Sequence, residues 1–546
     1  MKRLLYIFIL TLGILVSNSG CKKFLAEQSQ DEIKPSTIQE LNSIMAADAY
    51  PYSPFCLSPL LNIVTDDVVC NGGQAQLSYQ NVVKAGKSPF SWSKNMFEEL
   101  LLPGGLSNTT HLDSWKTLYQ RIASCNVGLA YVNKVSGSEE DKQNLKAQML
   151  ALRAYYYFNL VNMFGKPYNA QGVNPANSPG VPLKLNMEVT DEFYTRNSVA
   201  EVYQQIEADL LEAANLFRTY PKSNGPYKMN EIAVYTFLSR MYLYEEKWDQ
   251  AIDFASKGLA KKSALTQLYP FGTVAADPAN PYATAAATYN SPLVTYERRI
   301  YDTKYSTEVI WAYAPSTISS SGEDGFFKSQ MNPAYKSTSN NPPYGISPDL
   351  LNLYDSKGST ANYTYIGDLR PRLYFSVTVI VNGIIPGSNP IAPSYAPKYY
   401  FGGMGSRTDG TVGGAGFRVA ELYMNRAEAN IQKFINTGND ALRVAALNDI
   451  NTLRVSRYDP RQAYVPIDLT DKTALLNFCR DERRREFPFD GHRWFDLRRY
   501  GMPSISHVYN ETGTPETFTL VQGDNRYTWP IPQEVLDRNG ALTQNP

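Results

Sequence analysis

The stretch Arg480-Asp-Glu-Arg-Arg-Arg-Glu-Phe-Pro-Phe-Asp-Gly-His-Arg-Trp-Phe-Asp-Leu-Arg-Arg-Tyr-Gly501 decides how the chain is read. It holds seven arginines, five carboxylates and five aromatics in 22 residues. A charge run of this kind is usually a solvated helix face, but the apolar register says otherwise. Leu475, Phe478 and Cys479 form a stripe at i, i+3 and i+4, and continuing it to i+7 and i+11 puts Glu482 and Glu486 on the same inward face. Carboxylates aimed at a core need partners, because an unpaired buried charge is too costly. Arginine suits that pairing through its planar fork. The segment therefore predicts a buried ion-pair architecture.

Working outward, helical periodicity dominates. Trp115, Tyr119, Ile122, Asn126 and Leu129 step by three or four, and Leu145, Met149, Leu152, Tyr156, Leu160 and Met163 hold one stripe that Gly165-Lys-Pro167 ends. Ser198-Val-Ala-Glu201 is a capping box opening a helix with Val202, Ile206, Leu210 and Ala213 facing in. Glu231–Tyr244, a tight turn at Glu245-Glu-Lys247, and a helix lined by Trp248, Ala251, Ile252, Ala255 and Leu259 make an antiparallel pair of tetratricopeptide type, without a clean 34-residue repeat. Helices return at 417–434 and 440–457. Residues 262–416 are rich in Gly, Pro, Ser, Asn and Tyr, with short β-like runs at 308–313 and 373–381. Near the end, Thr517–Leu520 and Arg526–Ile531 are expected to form a hairpin turning at Gly523-Asp-Asn525.

The bulk composition narrows the function. The 546 residues carry 52 basic and 52 acidic side chains, so there is no basic stripe to argue for nucleic acid. The chain opens with Met1-Lys-Arg3 and an apolar run over 4–16, in the range of a signal-peptide core and short for a bilayer span. Residues 1–20 read as the leader of an exported lipoprotein, cleaved before a lipidated Cys21, although Asn18 stands where a lipobox usually has Leu. Four further cysteines without a CxxC disfavour a disulfide framework or a zinc site. A Cys56–Cys70 bridge is allowed but not demanded. Three histidines, none at metal-ligand spacing, give no metal or cofactor expectation.

Glycoside hydrolysis needs a proton donor and a second carboxylate flanking the bond, but arginines keep neighbouring carboxylates ionised and poor as acids. Arg153, Glu421, Arg426 and Glu428 read the same way, as structural ion pairs. No GxSxG, Walker A or HExxH motif occurs. The loop aromatics are better candidates for function, since sugar faces stack on Trp and Tyr while Asp, Asn and Arg meet hydroxyls. The ligand-binding expectation names Trp92 first, with Asp67, Tyr79, Tyr289 and Tyr344. Trp92→Ala is then expected to weaken oligosaccharide binding at a nearly unchanged melting temperature. For each aromatic the competing reading is a loop-anchoring core residue.

These motifs, in this order, resemble the SusD/RagB-like outer-membrane lipoproteins: Cys21-Lys-Lys-Phe-Leu25, Trp115 to Asn126, Ala151-Leu-Arg-Ala-Tyr-Tyr-Tyr-Phe158, Glu308-Val-Ile-Trp311, Asp368-Leu-Arg370, Arg426-Ala-Glu-Ala429, the opening segment, and Pro530 to Pro546. The usual Asp-Val-Pro-Leu after the Phe164-Gly165 position is replaced by Lys166-Pro-Tyr-Asn169. The resemblance implies a mainly α fold: a tetratricopeptide-like right-handed helical superhelix with a large loop-rich region containing short β-strands. It implies one domain over 21–546, its scaffold at about 36–260 and 417–546 and its ligand-facing region at about 262–416. It further implies a non-enzymatic, surface-exposed, lipid-anchored protein that binds an oligosaccharide as the lid of a SusC-like TonB-dependent transporter. A peptide-binding scaffold of the same fold and a glycoside hydrolase are the alternatives.

Overall fold

The computed structural model describes residues 34–51, 60–73, 77–100, 114–269, 300–301, 303, 306–313, 343–359, 364–374, 376–381, 395–400, 415–460 and 462–546. The leader, Cys21, Cys56, Tyr289 and much of 262–416 lie outside the described residues.

The scaffold is a succession of helices, each packed on the next. They are α1 (Ile38–Asp48), α2 (Trp115–Tyr131), α3 (Glu139–Phe164), α4 (Val199–Thr219), α5 (Glu231–Tyr244) and α6 (Trp248–Lys261). The C-terminal part adds α7 (Val419–Thr437), α8 (Asp440–Arg457), α9 (Lys472–Glu486) and α10 (Arg493–Arg499). Neighbours pack in order from α2 to α6; α6 packs directly on α7, and α7 on α8 and α9. The chain therefore leaves the scaffold after α6 and rejoins it at the same place after about 157 intervening residues, in the tetratricopeptide-like manner expected. Gly258 permits the junction: a Cβ there would lie 2.8 Å from Leu422 Cδ1 of α7. α3 is buried on every side from Asn144 to Phe164 apart from Lys146, the pattern of a helix central to a large core.

Local signals set the helix ends. The Ser198 side chain accepts from the Glu201 N–H while the Glu201 carboxylate accepts from Ser198 N–H at 2.7 Å, so the capping box is formed. Gly438 ends α7 at φ 71° and Asn439 caps α8, which turns the chain back within two residues. One core cluster extends from Ile38 to Leu542.

The strands are short antiparallel pairs. β1 (Val68–Cys70) pairs with β3 (Tyr344–Ile346), and β2 (Val309–Tyr313) pairs with β8 (Ala415–Arg418). β4 (Ser356–Ser359) pairs with β5 (Thr364–Gly367), and β6 (Ser376–Val381) with β7 (Tyr395–Tyr400). The β2–β8 ladder delivers Glu308 and Arg418 side by side, at the foot of α7, with Val419 N–H bonded to Glu308 O. The C-terminal hairpin differs from expectation: β10 (Pro515–Leu520) pairs upstream with β9 (Ile505–Asn510), and Asn525–Tyr527 is a 3₁₀ turn. In β9, Ile505, His507 and Tyr509 are buried while Ser506 and Val508 are exposed. This is a half-buried strand whose alternation is disguised by an inward histidine. Cys70 is a free thiol among the described residues; Cys56, and with it the Cys56–Cys70 pairing, lies outside them.

Candidate functional site

The opening segment folds into an ion-pair core. Glu486, fully buried at the end of α9, accepts from Arg418 Nη1 at 2.7 Å, from Arg457 Nη2 at 2.8 Å and Nε at 3.0 Å, and from Tyr374 OH at 3.1 Å. Arg370 Nη1 reaches both Glu482, at 2.8 Å, and Glu486, at 3.2 Å. Arg454 and Arg485 complete Glu482, Arg457 and Arg418 share Glu308, and Arg370 forks onto Asp368. Asp490, 3.9 Å from Arg418, brings the carboxylates level with the five guanidinium groups. One turn along α9, Arg483 donates to Asp496 and Asn425, and Arg499 forks onto Glu428 at 2.6 and 2.7 Å. Arg484 meets Asp67 at 2.6 Å and Arg493 forks onto Asp66. Arg153–Asp209, Arg240–Glu421 and Arg426–Asp449 are structural pairs too.

This arrangement supplies little acid–base chemistry. Burial works to raise the Glu486 carboxyl, but Arg457 and Arg418 hold it down at about 2. Glu482 is likewise held far below the carboxylate range against burial, by Arg370 and Arg485. Asp490 is the exception: burial pushes it up to about 6, with the Tyr301 hydroxyl 2.6 Å away. Its side chain is nearly inaccessible. His492 is lowered well below its ordinary value by burial and then by Arg240 and Arg483, consistent with Nδ1 accepting from Arg483 at 3.0 Å.

The pH dependence follows in sign. A depressed carboxyl stabilises the fold above its unfolded value and loses that contribution as pH falls through the folded one. Glu486, moving from 4.5 to about 2, contributes about 3 kcal/mol at neutral pH. His492, depressed from 6.5, loses stability as pH falls below about 6.5, because the unfolded chain takes up the proton. Asp490, raised from 3.8 to about 6, does the reverse and gains stability as pH falls through that window. The melting temperature should therefore drop steeply as pH falls between about 4.5 and 2. A melting curve that is flat to pH 3 would contradict the ionised core.

The sequence-predicted ligand residues are dispersed. Asp67 is buried and committed to Arg484. Tyr344 is buried, its hydroxyl donating to Val83 O at 2.7 Å. The polar groups that looked free in a loop are spent on a guanidinium and a backbone carbonyl of the protein itself. Tyr79 lies on the Leu77–Ala85 helix, and Tyr289 lies outside the described residues. Trp92 is only 3% exposed, donates from Nε1 to Val64 O at 2.8 Å and stacks on His507, ring centroids 4.1 Å apart. The expectation of an unchanged melting temperature for Trp92→Ala is corrected accordingly.

Trp92 nevertheless borders a cavity of about 250 Å³. Lys94, Asn95, Arg526, Trp529 and Gln533 share the lining. The Trp529 indole N–H is buried and meets no acceptor among the described residues. Two indoles, an ammonium, a guanidinium and side-chain amides around one concavity have the composition of a carbohydrate-binding surface. No local sequence signal ties the Trp529-Pro-Ile-Pro532 run to Trp92, more than 400 residues away.

Known proteins agree with this architecture. Residues 38–243 match a family described as starch-binding and associating with the outer membrane, and residues 398–546 match the SusD family, together covering about two-thirds of the chain. The chain belongs to the SusD/RagB-like family. A SusD-like protein of Formosa agariphila is 22% identical over 470 residues, 80% of each chain. A SusD-superfamily structure from Bacteroides thetaiotaomicron superposes with a TM-score of 0.63 at 20% identity, over 93% of this chain and 100% of that one. A laminarin-binding SusD-like protein gives 0.55 at 20% identity, over 94% and 99%. In this SusD/RagB-like chain the two matched regions are the two ends of one helical succession, joined where α6 meets α7. The arginine-rich segment Arg480–Gly501 lies inside the C-terminal match and forms the ion-pair core.

Proposed function

We propose that this SusD/RagB-like protein captures an oligosaccharide at the cell surface, anchored through a lipidated Cys21 after removal of residues 1–20, as the lid of a SusC-like TonB-dependent transporter. On this reading residues 21–546 form one domain and carry out no chemistry. Family membership at both ends of the chain, alongside the laminarin-binding neighbour, carries the glycan reading. The commitment of the signature carboxylates to arginines supports binding without hydrolysis. Among the described residues no helix is long and apolar enough to cross a membrane. Anchoring through Cys21 would take more than one acyl chain to be stable.

The lid role has its own support. In the extended segment after Leu183, Val189 is 99% and Phe193 65% exposed, with Leu185 and Met187 beside them also exposed. Contiguous exposed apolar side chains mark interaction sites. Val189→Asp with Phe193→Asp is expected to cut recovery of the transporter in membrane pull-downs by about ten-fold, equivalent to ~1.4 kcal/mol, at unchanged melting temperature. Undiminished recovery would remove this strip from the interface. The glycan reading is tested by calorimetry of the mature chain against an oligosaccharide panel with chromatography of the mixtures. Saturable binding without product release is the expected result. Product release, or binding of peptides alone, would overturn it.

A further inference from the structure

A second cavity, of about 280 Å³, lies between α1, the first turns of α3 and the 222–228 loop, and shares no residue with the Trp92 cavity. Its walls include Asn42, Asp141, Asn144, Lys222, Asn224 and Lys228. The charges do not cancel. Asp141 is neutralised by Lys222, with the Ser138 hydroxyl on its second oxygen at 2.8 Å. Lys228 then has, among the described residues, one amide oxygen for company, Asn42 Oδ1 at 3.1 Å, and no carboxylate. Burial and the neighbouring Lys222 both lower the Lys228 ammonium from its ordinary value, as expected of a cation whose counter-ion is absent.

The floor is built to be rigid. Met229 N–H donates to Tyr50 OH, Tyr50 OH to Gln148 Oε1 at 2.6 Å, and Gln148 Nε2 to Asn144 Oδ1 at 2.7 Å. The relay fixes Asn144, 3% exposed, with its amide nitrogen meeting no acceptor among the described residues. An unmet buried donor is costly, and here it underlies a cavity with one excess cation.

We propose that this cavity binds an acidic monosaccharide unit, a hexuronate, with Lys228 and the Asn144 amide donating to the carboxylate and the surrounding amides meeting the hydroxyls. The volume sits just below the ~300–1,000 Å³ of small-molecule sites, room for one sugar ring and more than a simple ion needs. Ile38 and Leu145 supply apolar wall for the ring's C–H face. The site goes beyond the glycan-capture reading and needs no residue of the Trp92 cavity.

The test is calorimetry of the intact mature chain with D-glucuronate, D-glucose and inorganic phosphate as separate titrants. Glucuronate is expected to bind about ten-fold or more tighter than glucose, the contribution of a charge-assisted hydrogen bond, and tighter than phosphate. Lys228→Met should weaken glucuronate by a similar factor at unchanged melting temperature, while a Trp92 variant that stays folded should bind it normally. Equal binding of glucose and glucuronate, phosphate binding as tightly as glucuronate, or an unaffected Lys228→Met would each overturn the proposal. Because the wild-type contrast needs no variant, a misfolded Lys228→Met would not rescue it. Loss of glucuronate binding in the Trp92 variant would instead place the ligand in the other cavity and sink the proposal as well.

Discussion

Glu486→Ala is expected to cost about 3–5 kcal/mol of stability, the loss incurred when one partner is removed from a buried ion pair. The reason is what remains. Arg370, Arg418 and Arg457 all donate to this carboxylate and all three are fully buried. Arg457 and Arg418 keep Glu308, and Arg370 keeps Asp368 and Glu482, so the remaining core is left with excess positive charge and no water to solvate it. With natural domains stable by about 5–15 kcal/mol, such a loss would appear as poor expression and a large fall in denaturation midpoint. A midpoint within experimental error of wild type would show that the core relaxes or hydrates around the gap, and the brace would be ornamental. Glu486→Gln, which keeps the shape and part of the hydrogen bonding, should fall between the two.

Trp92→Ala is the second large effect, and its size reverses the sequence expectation. Truncating a buried aromatic costs about 3–5 kcal/mol. Trp92 also loses its bond to Val64 O and its stack on His507, and rings in contact add about 0.5–1.5 kcal/mol beyond their area. His507 would lose one of its two aromatic neighbours, since Phe90 covers the ring as well at 4.1 Å. Trp92 also holds φ 52°, a left-handed conformation for a bulky residue that costs of order 1–3 kcal/mol. Such strain is over-determined by the surrounding structure and is the kind of feature found beside binding sites. Thermal melts of Trp92→Ala should shift by many degrees. If they do not, Trp92 is the loosely held platform that the sequence suggested.

Much of the scaffold was legible because helices write their register locally. The Leu475–Phe478–Cys479 stripe placed Glu482 and Glu486 inward, and both are fully buried. Their partners were not legible: Arg370 and Arg418 arrive from 116 and 68 residues away, and nothing in a local window encodes that pairing. The C-terminal hairpin was misread because a downstream Gly-Asp-Asn turn outweighed the Ile505–His507–Tyr509 alternation, in which a histidine occupies an inward position. The ligand residues were the least legible. Asp67, Trp92 and Tyr344 sit in Gly- and Pro-rich sequence that reads as exposed, yet each polar group finds a guanidinium or a backbone carbonyl. Whether a loop aromatic faces a ligand or anchors the loop depends on such long-range partners.

The central claim is that the residues identifying this SusD/RagB-like protein hold it together and do not touch its ligand. The most direct measurement is titration of a glycan that the wild-type chain binds into Glu486→Gln, read together with the melting temperature and with chromatography for products. The account predicts a lower melting temperature, the same Kd per folded molecule and no product from either protein. An unchanged melting temperature with lost affinity, or turnover by wild type that the variant lacks, would contradict it and return the arginine-rich segment to the status of a site.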